Sequence, residues 1–360
     1  MDMKIKYIIF SVCFICLFTS FAVFSADKNS SDTKFDIPVI DGHNHINGLF
    51  RGRGRMEERY QDAVSETIRK MNQANIKTMI VMPPPFPAGH RGIYDVDKLI
   101  PYLKLYPGRF KVFGGGGTLN PMINEAVRIG KTTNEMKAQF KKAALKLVEE
   151  GVSGFGEMTA EHFSLGPNHN YQGAPPDHPL FLLLADIAAE NNLPIDFHME
   201  AITKEKPLPA HLKSPPNPKT LKPNIKAFET LIGHNPKAVI IWAHAGWDNS
   251  GNRSVRLMEE LLKKYPNLYM SIKVRAVDSL PVNYPLDKEG DIKEEWLELF
   301  RKFPDRFFIG CDHFYTAPGG FRIGPDSMPE TIQLFNRLPS DLQKKFGIEN
   351  PSAIFKLTNP

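Results

Sequence analysis

Val39-Ile40-Asp41-Gly42-His43-Asn44-His45-Ile46 is a short β-type apolar run that carries two histidines one residue apart. Side chains alternate along a strand, so His43 and His45 share one face with Cα atoms about 6.5 Å apart, near enough to grip a single cation. Outward from this stretch, β-type segments recur at Ile76–Met82, Phe110–Gly114, Ser153–Met158, Pro194–Met199, Ala238–Ala243, Asn267–Val274 and Arg306–Asp312, which with Val39–His45 makes eight. Between them lie stretches with apolar residues at helical spacing, among them Ala63–Ala74, Met136–Glu150, Pro179–Asn191, Val255–Lys264 and Ile292–Phe303. Eight alternations without a composition break predict an α/β fold, a single-domain (β/α)8 TIM barrel over residues 36–360. A doubly wound open sheet is the alternative, and it would usually use fewer strands.

The 360 residues, 42% hydrophobic and 24% charged, suffice for one sizeable core. Lys4 and Lys6 precede the apolar stretch from Tyr7 to Phe24, and the small residues Ser25 and Ala26 suit cleavage. Residues 1–25 therefore read as a signal peptide, 26–35 as a flexible N-terminal segment, and the product as secreted or periplasmic. An uncleaved membrane anchor is the alternative, because the run approaches spanning length. Loss of 1–25 removes Asp2, Lys4 and Lys6, a net +1, so the formal charge falls from +5 to +4. That is too mild to demand nucleic acid. Of the three cysteines, Cys13 and Cys16 leave with the signal, so Cys311 remains without an internal disulfide partner.

Polar residues end the strands where a core reading places none: Glu157, His198, His244 and Asp312 close the fourth, fifth, sixth and eighth segments. With His43 and His45, five strands deliver ligand-type side chains to one rim. Buried there, these groups are costly unless paired, and a divalent cation satisfies them together. Pro- and Gly-rich insertions at Met82–Gly92, Leu165–Pro179 and Thr203–Pro223 follow strands 2, 4 and 5, on the barrel face that carries active sites.

The motif order Asp41-Gly42-His43-Asn44-His45, Gly156-Glu157-Met158, Phe197-His198-Met199, Trp242-Ala243-His244-Ala245-Gly246 and Gly310-Cys311-Asp312-His313 resembles the amidohydrolase superfamily, in particular its amidohydrolase-2 branch. The resemblance spans roughly residues 36–357, including a terminal-helix pattern at Ile348–Phe355. It implies a barrel holding one or two divalent metals, zinc first. His43, His45 and His198 would be ligands, Asp312 a ligand or the proton acceptor for metal-bound water, and His244 a ligand or an acid/base group facing the substrate. Glu157 would either bridge two metals or orient a histidine ligand.

The chemistry expected is hydrolysis of a small amide, ester or lactone bearing an acidic group, with water activated by the metal. Relatives in the branch include decarboxylases of unsaturated or aromatic acids, and that reaction stays open, as does a non-catalytic extracytoplasmic metal- or ligand-binding protein. Lys273 and Arg275 alternate with apolar residues on the seventh strand and are candidates to hold an acidic substrate group. Arg51-Gly52-Arg53-Gly54-Arg55 reads as a mobile solvated loop or a basic lid, and His90, Arg91, His162 and His169 are rim residues without an assigned role. The partner expected is a small-molecule substrate, with no nucleic acid and no membrane after signal cleavage. Self-association is left open.

Other chemistries fail on their motifs. Gly130-Lys131-Thr132 resembles a phosphate loop, but Glu125 stands where its first glycine belongs. There is no Gly-x-Ser-x-Gly elbow for a serine hydrolase. A nuclease on a related barrel would show a stronger basic face.

Overall fold

The computed structural model describes residues 33–52, 55–166, 169–275, 283–320 and 326–357. The signal-peptide reading lies outside these residues. Among them, no helix is long and apolar enough to cross a membrane. The chain is already packed at Phe35, inside the segment expected to be flexible: its ring is fully buried against Phe335, with centroids 5.2 Å apart.

Eight parallel strands close on themselves. They are β1 (Val39–Asn47), β2 (Ile76–Val81), β3 (Phe110–Val112, then Gly114–Gly115), β4 (Phe155–His162), β5 (Ile195–Met199), β6 (Ile240–Ala245), β7 (Leu268–Ile272) and β8 (Phe307–Ile309, then His313–Thr316). Two of them change partners midway, which lets a twisted sheet close. The first half of β3 pairs with β2 through Met79↔Phe110 and Val81↔Val112, and its second half pairs with β4 through Gly114↔Phe155. Likewise β8 leaves β7 at Ile272↔Ile309 and joins β1 at Asn44↔His313. The remaining neighbours follow chain order, so the pairing itself establishes the (β/α)8 barrel.

Helices cover the outside. Tyr60–Gln73, Asn134–Glu149, Pro179–Glu190, Val255–Lys264 and Glu294–Lys302 match the periodic stretches within a few residues. Three caps explain local starts: Thr133 and Ser254 accept hydrogen bonds from Met136 and Leu257, and His178 accepts one from Leu180. Inside the barrel, Ile40, Ile80, Phe113, Ile241 and Phe308 pack as one cluster with Phe355, whose ring lies 5.2 Å from that of Phe308. This apolar plug lies beneath the polar strand ends.

Loops after the strands carry their own hairpins. Glu161–His162 pairs with Gln172–Gly173, and Lys206–Pro207 pairs with Thr220–Leu221. The segment read as an Arg-Gly loop is also paired, Leu49–Gly52 against Arg55–Glu58. Pairings of two to four residues are too short to print a periodicity in the sequence.

Candidate metal centre

Local irregularities in the strands aim the ligand-type residues inward. The register of β1 against β2 shifts between Asp41 and Asn44, that of β4 against β5 between Phe155 and Met158, and that of β6 against β7 between Trp242 and Ala245. Such irregularities redirect a side chain, and these bring His43 and His45, Glu157, and His244 to the barrel axis. His244 and Asp312 also hold left-handed backbone, φ 68° and 49°, a strained choice that clusters at functional sites. Glycine supplies the room: a Cβ on Gly310 would lie 2.9 Å from those of both His43 and Ser271.

Hydrogen bonds fix which imidazole nitrogen is available. His43 Nδ1 lies 3.0 Å from Asp196 Oδ2, and His45 Nδ1 lies 2.9 Å from the Met82 carbonyl oxygen. A carbonyl can only accept, so Nδ1 of His45 carries the proton and Nε2 of the neutral ring is a bare lone pair. Both Nε2 atoms are buried without a hydrogen-bond partner, as is Asp312 Oδ1. Yet His45 Nε2 lies 3.0 Å from Asp312 Oδ1 and 3.4 Å from Glu157 Oε2. Lone pairs pressed this close need a proton or a cation between them.

Glu157 divides its oxygens. Oε2 faces the β1 histidines, whereas Oε1 lies 2.8 Å from His198 Nδ1 and 3.3 Å from His244 Nε2, and those two nitrogens are 3.1 Å apart. The residues that could hold an ion therefore fall into overlapping groups: His43, His45 and Glu157; His43, His244 and Asp312; and Glu157, His198 and His244. Nitrogen and carboxylate donors in sets of three fit a first-row divalent ion such as zinc, and Glu157 is shared by two of the groups.

The electrostatics agree with that fit. Burial disfavours a charged His45, yet the adjacent Asp312 and Glu157 raise its imidazole to about 10. His43 is raised against burial by Asp196, with Glu157 and Asp312 adding. Against burial, contacts with His198, His244 and His45 hold Glu157 well below the usual carboxylate range, and the Lys273 charge does the same for Asp312. Burial, then the Lys273 charge, keeps His244 neutral. Without an ion the carboxylates thus recruit protons onto the β1 histidines, the positions a cation would fill.

A cavity of about 740 Å³ opens over the cluster, walled by Phe86, Tyr94, Phe163, Trp247 and Phe314. His90, Arg91, His162 and His169 line it too, and burial holds all three of these histidines below their ordinary value. Lys273 lines the cavity, but its ammonium is paired with Asp312 Oδ2. Arg275 donates from Nη1 to Asn249 Oδ1 at 3.1 Å and lies 4.6 Å from the centre of the Trp247 ring. Cys311 packs in the outer core, its thiol pushed up by burial. Asp196, the Met82 carbonyl and Trp247 were not singled out in the sequence. Asp196 did leave a signal, a charge two residues before His198 on the same strand face, whereas a carbonyl leaves none.

No family model matches the chain, and no curated protein matches it. Among solved structures it is similar to an Agrobacterium tumefaciens protein, with 13% identity over 90% of this chain and 98% of that one at a TM-score of 0.49. It is also similar to dihydroorotase from Campylobacter jejuni, with 16% identity over 90% of this chain and 84% of that one at 0.46. A third is 2,6-dihydroxybenzoate decarboxylase from Rhizobium, with 15% identity over 90% and 99% at 0.42. At these values the fold rests on the strand pairing given above. In its closed parallel barrel and in the strand ends that carry His43, His45, Glu157, His198, His244 and Asp312, the chain resembles the amidohydrolase superfamily.

Proposed function

We propose that this protein is a metal-dependent hydrolase acting on a small amide, ester or lactone. The observation that carries the reading is the pair of histidines whose Nδ1 atoms are held by Asp196 and the Met82 carbonyl, which turns both Nε2 atoms onto the carboxylates of Glu157 and Asp312. His43, His45, Glu157, His198 and Asp312 would hold one or two ions, with zinc the first candidate. A divalent ion there supplies Lewis acidity towards a carbonyl and makes water a stronger acid. Asp312 is ionised across the neutral range and offers Oδ1, the oxygen not held by Lys273, to accept a proton and return it to the leaving group. His244, held neutral by burial and the Lys273 charge, turns its Nε2 towards Glu157 and presents an uncharged imidazole beside the cluster. The aromatic wall takes the organic body of the substrate and displaces water from the rim.

Two measurements test this. Metal analysis of protein purified without chelator should find one or two ions per chain, lost in H43N and H45N. Metal-restored protein should then cleave members of a panel of lactones, amides and esters. Aromatic acids belong in the same panel, and release of carbon dioxide without hydrolysis would replace the hydrolase reading with a decarboxylase. No stoichiometric metal, with melting unchanged by chelator, would sink both. Export is part of the proposal, and N-terminal sequencing of protein from its natural host should find a chain starting near Ala26 or Asp27.

A further inference from the structure

Lys273 follows β7 and is only 6% exposed. Its ammonium pairs with Asp312 Oδ2 and sits 3.8 Å from the centre of the Trp247 ring, on whose face a cation is attracted. Trp247 is itself braced: Arg275 lies over the ring, Asn249 accepts from Arg275, and Asn249 Nδ2 donates at 2.5 Å to the buried carboxylate of Glu200. The ammonium is thus fixed by groups from several strand ends. Asp312, in left-handed backbone, turns its other oxygen to His45 Nε2 at 3.0 Å and His43 Nε2 at 3.7 Å.

A carboxylate can bind a cation through one oxygen or two. We propose that Lys273 is a positioning residue that occupies Oδ2 of Asp312, so that an ion in the cluster, or a reacting proton, meets this carboxylate through Oδ1 alone. The inference rests on the reading that the cluster holds a divalent ion. It gives Lys273 a role other than anchoring an acidic substrate, because its charge is used inside the protein. Two consequences follow. With Oδ2 held by Lys273, the carboxylate would give an ion one oxygen and not two, and the nearby ammonium charge would weaken the ion's binding.

Cobalt(II)-loaded protein tests both. K273M should bind cobalt about tenfold more tightly or better in competition with a chelator, and its visible absorption should weaken as the coordination number rises. K273R should keep the wild-type affinity and spectrum. If K273M fails to fold, K273Q retains an N–H for Oδ2 without the charge, and should bind more tightly with the wild-type spectrum. Wild-type affinity in K273M or K273Q overturns the proposal. With a substrate in hand, K273M should lower kcat and leave KM within about twofold, the opposite of losing an anchor; a rise in KM with kcat kept overturns it. Should the wild type hold no metal, the proposed function fails on its own. The clamp is then decided by crystal structures of metal-free wild type and K273M, in which the Asp312 carboxylate should reorient in the variant, and an unmoved carboxylate overturns it.

Discussion

Asp196 lies outside the candidate ligand groups and orients one of their members. Its Oδ2 lies 3.0 Å from His43 Nδ1 and fixes the ring so that Nε2 points at the cluster. D196N should weaken metal binding by roughly 10–100-fold, the usual cost of losing such an orienting carboxylate. Chelator competition measures it, and an unchanged affinity would remove Asp196 from the site. His45 yields a pH signature. Its folded value of about 10 lies above the ordinary 6.5, so its contribution to metal-free stability is complete below 6.5 and lost as pH rises through 10. The melting temperature of metal-free protein should fall between pH 7 and 10, and fall less in H45Q. A bound metal would replace that proton, so metal-loaded protein should show a shallower decline. Equal slopes in all three samples would mean that the carboxylates do not recruit a proton to His45.

Among the elements, the strands were readable because fully buried parallel strands are apolar runs bounded by turn residues, and all eight lie where those runs predicted. Their irregularities were not readable. The shifts in β1, β4 and β6 and the divided β3 and β8 come from closing a twisted sheet into a ring, which no local pattern encodes. Gly310 sits at one such break, and G310A should destabilise the fold by about 1–3 kcal/mol, as overpacking does, while displacing His43 and lowering metal affinity. A denaturant midpoint equal to wild type would show that the space is looser than the 2.9 Å approach implies. The hairpin joining the end of β4 to Gln172–Gly173 carries a second titrating group. Burial, opposed by the Tyr171 hydroxyl and aided by Glu200, raises the Glu161 carboxyl to about 7. An acid raised in this way gives stability that is complete below its ordinary 4.5 and lost as pH rises through 7. E161Q should flatten the wild-type loss of stability between pH 4.5 and 7, and an unaltered profile would assign that loss to another group.

For the whole molecule, the barrel is what makes the site. His43 and Asp312 are far apart in sequence, and they meet because β8 returns to pair with β1. An ion held by side chains from several strand ends would bind the folded chain alone, so at a free concentration of 100 Kd it should add about 2.7 kcal/mol to stability, lost on chelation. Thermal melts with and without chelator read this directly. The sequence by itself determined the α/β barrel, the apolar strands and the ligand-type residues at their ends, because burial and side-chain alternation are local properties written in residue order. Only the tertiary structure decided how those residues face one another: that Asp196 and the Met82 carbonyl set the histidine tautomers, that Glu157 lies between two groups of ligands, and that Lys273 is held by Asp312. Those relations depend on distances across the barrel axis, which arise only once the eighth strand closes on the first.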